Sequence, residues 1–262
     1  MSATTTVEVT REQFNCRMEG PPGAEVVVLS NSLGTNLAMW EPQLPALTER
    51  FRVLRYDTRG HGASSVTPGP YSIPQLGRDV LGLLDALKVR RAHFCGLSLG
   101  GLSGMWLALN ASDRIDRLVL CNTAPKIFTL EAWNARIENV RKGGIESIAD
   151  AVIGGWLTQG FREREPATAA RMRAMLTATP AEGYLGCCAA IRDIDLREAI
   201  RGIRLPTLII AGTHDKATPP ADGRAMQHAV PGSRYAELDA AHISNIEVAD
   251  AFNAALNGFL AG

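Results

Sequence analysis

The residue of this sequence best suited to act as a nucleophile is a serine flanked by two glycines. Residues 96–100 are Gly-Leu-Ser-Leu-Gly, which matches the pattern Gly-x-Ser-x-Gly. A short apolar run precedes the motif and helically spaced apolar residues follow it, so Ser98 would lie in a tight turn between a strand and a helix. A side chain in place of Gly96 or Gly100 would clash there. We therefore predict that Ser98 is a catalytic nucleophile; the alternative is a glycine-rich turn with an incidental serine.

A serine hydroxyl needs a base that removes its proton, and a carboxylate that orients this base. His242 follows the last predicted strand, and Asp215 follows the strand before it. The order Ser98, Asp215, His242 is the one expected for an α/β architecture with this motif. Asp239 is the rival carboxylate, but it lies very close to the strand end that precedes His242. The other histidines are less well placed: His61, His93, His214 and His228. For His61 we expect a hydrogen-bonding role in a turn.

Two backbone N–H groups are predicted to stabilise the oxyanion that forms when the serine attacks a carbonyl group. One is the N–H of Leu99, because it begins the helix after Ser98, where the helix dipole also favours negative charge. The other is the N–H of Leu33, in the loop after the apolar run Val26–Leu29. A backbone donor explains why the side chain at this position can be apolar.

Strands that alternate with helices predict an α/β fold with a mostly parallel twisted sheet and helices on both faces. The alternation stops at Thr123, and four helices are predicted before it resumes, over residues 129–142, 145–157, 166–178 and 181–192. We therefore expect residues 1–122 and 202–262 to form the core and residues 123–201 to form an inserted helical cap. The insertion leaves from the carboxyl ends of the strands, where ligands bind, so it would cover the site.

Charge and composition exclude several classes of partner. The 262 residues contain 27 basic and 27 acidic side chains, so no net charge favours nucleic acid or an anionic membrane. No apolar run reaches the ~18 residues that span a bilayer, and the amino terminus lacks the apolar core of a signal peptide. The odd number of cysteines, mostly in apolar segments, indicates reduced thiols in a cytoplasmic protein, and neither a disulfide framework nor a metal site. The sequence leaves the oligomeric state open.

Four stretches together resemble one family. Residues 31–36 are Asn-Ser-Leu-Gly-Thr-Asn, residues 39–40 are Met-Trp, residues 56–64 are Tyr-Asp-Thr-Arg-Gly-His-Gly-Ala-Ser, and residues 96–101 contain the serine motif. They resemble the α/β-hydrolase fold and, within it, the 3-oxoadipate enol-lactonases, and the resemblance runs nearly end to end. Many relatives have His-Gly in the first of these stretches, so Asn-Ser-Leu-Gly-Thr is the better indication of the lactonase branch.

This resemblance implies a small-molecule substrate, the enol-lactone formed late in aromatic-ring catabolism, and no metal or redox cofactor. Ser98 would open the lactone to an acyl-enzyme, and water activated by His242 would release 3-oxoadipate. This lactone carries a carboxylate, so a cation or several hydrogen-bond donors are expected near the pocket. Trp133 and Arg136 share one side of a predicted cap helix. Arg136 would bind the carboxylate, and Trp133 would form a wall of the pocket. The alternative is that Arg136 only extends from a buried stem and Trp133 belongs to the cap core. For Arg59 we expect structural pairing.

Other activities use the same three catalytic residues, and a fold does not select between them. A carboxylesterase, a carbon–carbon bond hydrolase and a cofactor-free perhydrolase are the nearest alternatives. A ligand receptor on a hydrolase scaffold, without turnover, is a more distant one, and the presence of all three residues argues against it.

Overall fold

A computed structural model describes residues 5–262, and a single eight-stranded sheet forms the centre of this part of the chain. The strand order is β1-β2-β4-β3-β5-β6-β7-β8. Strands β3 to β8 pair in parallel, whereas β1 and β2 form an antiparallel hairpin at one edge, joined to β4. The strands are β1 (Thr5–Val9), β2 (Glu12–Glu19), β3 (Val26–Ser30), β4 (Arg52–Tyr56), β5 (Ala92–Leu97), β6 (Ile115–Cys121), β7 (Thr207–Gly212) and β8 (Arg234–Leu238).

The central strands contain short apolar runs because helices and neighbouring strands cover them. Every residue of β5 and of β7 is buried, whereas β8 at the far edge has no buried residue. Parallel strands with both faces covered typically show this pattern. Their carboxyl ends all lie at the same edge of the sheet, so the loops that follow β3, β5, β7 and β8 converge there.

Six helices belong to the parts of the chain on either side of the insertion. They are α1 (Leu44–Leu47), α2 (Ile73–Ala86), α3 (Leu99–Asn110), α9 (Pro220–Ala229), α10 (Ser244–Glu247) and α11 (Ala249–Leu260). α3 packs on β3, β5 and β6, and α2 packs on α3 and β1. A 3-10 helix, Leu37–Gln43, precedes α1 and continues into it. The short α10 was not predicted, because four residues are too few to show a helical period.

The chain between β6 and β7 forms five α-helices, one more than the sequence pattern predicted, and a short 3-10 helix, Ala199–Gly202. The α-helices are α4 (Leu130–Gly143), α5 (Glu146–Trp156), α6 (Gln159–Arg164), α7 (Pro166–Thr177) and α8 (Ala181–Asp193). The additional helix α6 begins at Thr158, whose hydroxyl accepts the N–H of Phe161. α4 packs on α8 and on α5. Among residues 5–262, no helix is both long and apolar enough to cross a membrane.

Candidate active site

Ser98 occupies a strained turn between β5 and α3. Its backbone has φ 56° and ψ −109°, outside the regions that residues other than glycine usually adopt. A Cβ atom on Gly96 would overlap the carbonyl of Gly100, and one on Gly100 would overlap the carbonyl of Ser30. The Ser98 N–H donates to the Cys121 carbonyl over 2.9 Å. The neighbouring backbone therefore holds the turn tightly and accepts glycine alone on both sides of the serine.

His242 and Asp215 form a buried hydrogen-bonded pair. Nδ1 of His242 lies 2.8 Å from Oδ2 of Asp215, and their side chains are only 5% and 0% exposed. Burial by itself raises the pKa of Asp215, but the charge and hydrogen bond of His242 and the hydrogen bonds from Thr218 outweigh this and lower the pKa to about 2. Asp215 is thus a carboxylate at neutral pH. It accepts a hydrogen bond from Nδ1–H, and Nε2 of His242 is left as the nitrogen that can accept a proton.

Ser98 and His242 line the same cavity, which has a volume of about 450 Å³. We call it the main cavity. Within residues 5–262, neither the Ser98 hydroxyl nor Nε2 of His242 makes a hydrogen bond to another protein group. Both groups are therefore available to a molecule in the cavity.

Two backbone donors near Ser98 are similarly available. In the described part of the chain, the N–H groups of Leu33 and Leu99 donate to no protein acceptor, although their neighbours are engaged. The N–H of Gly34 donates to Nε2 of His61, and the N–H of Gly100 donates to the carbonyl of Asn31. Leu33 itself lines the main cavity, and Leu99 is the first residue of α3. This arrangement suits two donors aimed at one oxyanion.

His61 fixes the loop that carries Leu33. It is fully buried, its Nε2 accepts the Gly34 N–H over 3.0 Å, and its Nδ1 lies 3.2 Å from the carbonyl of Arg59. Because Nε2 accepts, the proton is on Nδ1 and the ring is neutral. Burial lowers the pKa of His61 to about 4. The hydrogen-bonding role expected for this histidine is therefore specific: it positions the Leu33 loop.

The inserted helices hold the loop that carries His242. The N–H of Ile243 donates to the carbonyl of Trp156 over 3.0 Å, at the end of α5. The Glu247 carboxylate accepts the N–H of Ala241 over 2.9 Å and also the hydroxyl of Thr158. Residues on both sides of His242 are thus fixed to the insertion, so the insertion affects the position of the base as well as the shape of the cavity.

Trp133 and Arg136 both line the main cavity. The Trp133 side chain is 3% exposed and its indole N–H donates to the Ile127 carbonyl over 2.7 Å. The Arg136 guanidinium lies 5.1 Å from the centre of the Trp133 ring and 5.8 Å from that of Phe128. No carboxylate among residues 5–262 lies within ion-pair distance of Arg136. The guanidinium therefore lies beside two aromatic rings and near the Tyr184 hydroxyl, and no carboxylate in this part of the chain neutralises its charge.

Sequence reasoning missed several other residues of the cavity wall. They come from the insertion and from the loop after Asp215: Ile127, Trp156, Tyr184, Ile191 and Lys216. Burial raises the pKa of Tyr184, although the nearby charge of Arg136 acts in the opposite direction. None of these residues belongs to a motif. Tyr184 could have been identified only by knowing which side of α8 faces the sheet.

The rival residues have other partners. Asp239 is exposed and lies 2.7 Å from Nε2 of His214, away from His242. Arg59 forms a buried two-pronged ion pair with Asp79, with N–O distances of 2.6 and 2.8 Å. Its guanidinium is engaged there, which agrees with the structural pairing expected for it.

The environment of His61 predicts a pH-dependent stability. Its pKa is about 4 in the folded protein and 6.5 in the reference state, so below pH 6.5 the unfolded chain binds a proton that the folded chain excludes. We expect the free energy of unfolding to fall as the pH decreases through this window, by ~1.4 kcal/mol per pH unit and about 3 kcal/mol in all. His61→Asn should lose this part of the slope in urea titrations at each pH. Plots of the free energy of unfolding against pH should be parallel for the two proteins above pH 6.5. Parallel plots between the two pKa values would contradict the assignment of this slope to His61.

Comparisons with known proteins agree with this geometry. Residues 25–249 match the model of the alpha/beta hydrolase fold family. The chain is 42% identical over 241 residues to 3-oxoadipate enol-lactonase 2 of Acinetobacter baylyi, covering 92% of this chain and 90% of that one. It is 39% identical to 3-oxoadipate enol-lactonase 1 of the same organism, over 99% and 98% of the two chains. The crystal structure of the enol-lactonase from Burkholderia xenovorans LB400 superposes with a TM-score of 0.97 at 50% identity, covering 98% of this chain and 100% of that one. The chain belongs to the α/β-hydrolase fold family.

Proposed function

We propose that this hydrolase opens 3-oxoadipate enol-lactone to 3-oxoadipate, with Ser98, His242 and Asp215 as its catalytic residues. The observation that carries the proposal is the similarity, over nearly the whole chain, to proteins named enol-lactonases. The main cavity supports it, because the cavity combines an available serine hydroxyl and imidazole with an arginine that has no carboxylate partner in the described chain.

The first half of the proposed reaction breaks the lactone ring. Nε2 of His242 takes the Ser98 proton while Oγ attacks the lactone carbonyl, and the N–H groups of Leu33 and Leu99 stabilise the resulting oxyanion. Collapse of this intermediate breaks the ring C–O bond, and the enol oxygen leaves with a proton from His242. An enol is a good leaving group, and because it was part of the ring it stays attached to the acyl-enzyme. The enol then becomes the ketone of the product.

The second half releases the product. His242 removes a proton from water, the hydroxide attacks the acyl-enzyme carbonyl, and the same two N–H groups stabilise the second oxyanion. Ser98 regains its proton from His242 as it leaves. The product is a dicarboxylate, whereas the substrate has a single carboxylate, so the reaction adds one negative charge to the ligand.

Arg136 is proposed to bind the carboxylate that the substrate already has, with Trp133 as the apolar wall beside it. We propose further that residues 123–201 form the cap and the rest of the chain the core, since this insertion supplies both residues. We also propose a cytoplasmic location, because all five cysteines are free and buried, as suits a reducing compartment.

The role of Arg136 predicts a selective loss of lactone hydrolysis. A charge-assisted hydrogen bond contributes roughly 1.5–3 kcal/mol, so Arg136→Gln should lower kcat/KM for the lactone about 10- to 100-fold, mainly through KM. The ratio of kcat/KM for the lactone to kcat/KM for p-nitrophenyl acetate should fall as well. Arg141→Gln, an exposed arginine on the same helix, is the matched control and should leave this ratio unchanged. An unchanged ratio in Arg136→Gln would remove the carboxylate-binding role.

Steady-state kinetics on the lactone beside p-nitrophenyl acetate test the function itself. A strong preference in kcat/KM for the lactone is expected. Hydrolysis of the neutral ester without hydrolysis of the lactone would support a carboxylesterase and refute the proposed substrate. Binding of the lactone without turnover of either compound would support a receptor.

A further inference from the structure

A second cavity adjoins the main cavity and has a different character. Its volume is about 430 Å³, and Gly154 and Lys216 line both cavities. Gly154 contributes no side chain to the wall that the cavities share, and a Cβ atom built on it meets no other atom within 4 Å. The two cavities therefore meet at an open position on α5. We call the second cavity the basic annex.

The charged groups of the annex favour an anion. Arg162, Arg164 and Lys216 line it, and none of them has a carboxylate within ion-pair distance in the described chain. Nε of Arg162 is buried and has no hydrogen-bond partner there. A buried donor without an acceptor is costly, and a small movement of the Arg162 side chain towards an anion in the annex would give this donor an acceptor.

The acidic groups of the annex are already engaged. Glu247 accepts hydrogen bonds from Thr158 and from the Ala241 N–H, and Asp239 is paired with His214. Neither carboxylate forms an ion pair with the two arginines or Lys216, and the three basic side chains outnumber these two carboxylates in the wall. The annex thus keeps an excess of positive charge next to the cavity in which a new carboxylate would form.

We propose that the basic annex binds a carboxylate of a dicarboxylate whose other end lies in the main cavity, and thereby receives the product. This rests on the proposed function, since that reaction converts a monocarboxylate into a dicarboxylate. The annex selects for the second negative charge, which the substrate lacks. It provides a route for the product away from Ser98 through the opening at Gly154, while Arg136 holds the carboxylate that was present from the start.

Calorimetric titration with adipate tests the annex without any turnover. Adipate is a six-carbon dicarboxylate, and hexanoate is its monocarboxylate counterpart. We expect the protein to bind adipate more tightly than hexanoate. The double variant Arg162→Gln/Arg164→Gln should weaken adipate binding about tenfold or more, because it removes two charge-assisted donors, and should leave hexanoate binding unchanged. Added salt should weaken adipate binding to the original protein more than to the double variant.

Two further variants make the result decisive. Arg141→Gln/Arg171→Gln removes the same charge from exposed helix positions outside both cavities and should bind adipate normally. Arg162→Lys/Arg164→Lys keeps the charge and should restore most of the affinity. Unchanged adipate binding in Arg162→Gln/Arg164→Gln, or an equal loss in the Arg141/Arg171 control, would overturn the proposal. A protein that binds adipate as expected but does not hydrolyse the lactone would refute the proposed function and leave the annex standing.

Discussion

Ser98→Ala is expected to abolish hydrolysis of both the lactone and p-nitrophenyl acetate, with kcat reduced on the order of 10⁵- to 10⁶-fold. The variant removes one oxygen atom, and this atom is the one that would form the acyl-enzyme. The two oxyanion donors and the cavity remain, so a small residual rate above that in water is expected. Stopped-flow assays measure the fast turnover of the original protein, and long time courses measure the residual rate of the variant.

The fold of this variant should be unaffected, which makes the loss of activity interpretable. The Ser98 hydroxyl makes no hydrogen bond to another group in residues 5–262, so its removal leaves no buried partner unsatisfied. Alanine also retains the Cβ atom and thus the same backbone strain at φ 56°. We expect a thermal unfolding midpoint within a few degrees of the original. Undiminished turnover in a folded variant would exclude Ser98 as the nucleophile.

The sequence predicted the order of strands and helices well because the central strands contain short apolar runs. Val26–Leu29 and Leu208–Gly212 can be recognised in this way, since a strand with both faces covered needs no polar residues. The five inserted helices were predicted less completely. α6 has six residues, and its start depends on the hydroxyl of Thr158, a local contact that leaves almost no periodic signal.

The candidate site could be predicted where function constrains a motif or a place in the topology. Ser98, Asp215 and His242 each follow a strand at the carboxyl end of the sheet, so chain order alone indicated them. His61 and Tyr184 show what the sequence lacks. The bond from the Gly34 N–H to His61 joins two loops that are distant in sequence, and Tyr184 enters the cavity through the packing of α8. Such contacts depend on three-dimensional packing, which periodicity does not encode.

The same packing distinguishes Asp215 from Asp239. Both residues follow strands at the same edge of the sheet, and the sequence favoured Asp215 because Asp239 lies very close to the strand end that precedes His242. In the structure, Asn122 and Thr218 surround Asp215 with donors, whereas Asp239 lies exposed on His214. A buried carboxylate with several donors stays ionised and fixed in place, as the partner of a catalytic imidazole must.

Asp215→Asn should therefore lower kcat about 10⁴-fold with little change in KM. Oδ1 of Asp215 accepts the N–H groups of Ala217 and Thr218, over 2.8 and 3.1 Å. The asparagine carbonyl must keep that position, because an amide NH₂ cannot accept from them. The NH₂ group would then face Nδ1 of His242 and donate to it. The imidazole proton would move to Nε2, and the nitrogen nearest the cavity would no longer accept the Ser98 proton.

Asp239→Asn is the matched control, because it makes the same chemical change in the rival carboxylate, which also follows a strand at this edge of the sheet. Its activity should stay within about threefold of the original, since an exposed pair with His214 contributes little to stability. Steady-state kinetics on p-nitrophenyl acetate and thermal unfolding of both variants decide between the carboxylates without assuming the lactone as substrate. A large loss in Asp239→Asn beside an active Asp215→Asn would reverse the assignment. The expected opposite result would tie catalysis to the Asp215 carboxylate, because Asp215→Asn replaces with a donor the oxygen that accepts from Nδ1 of His242 and from Asn122.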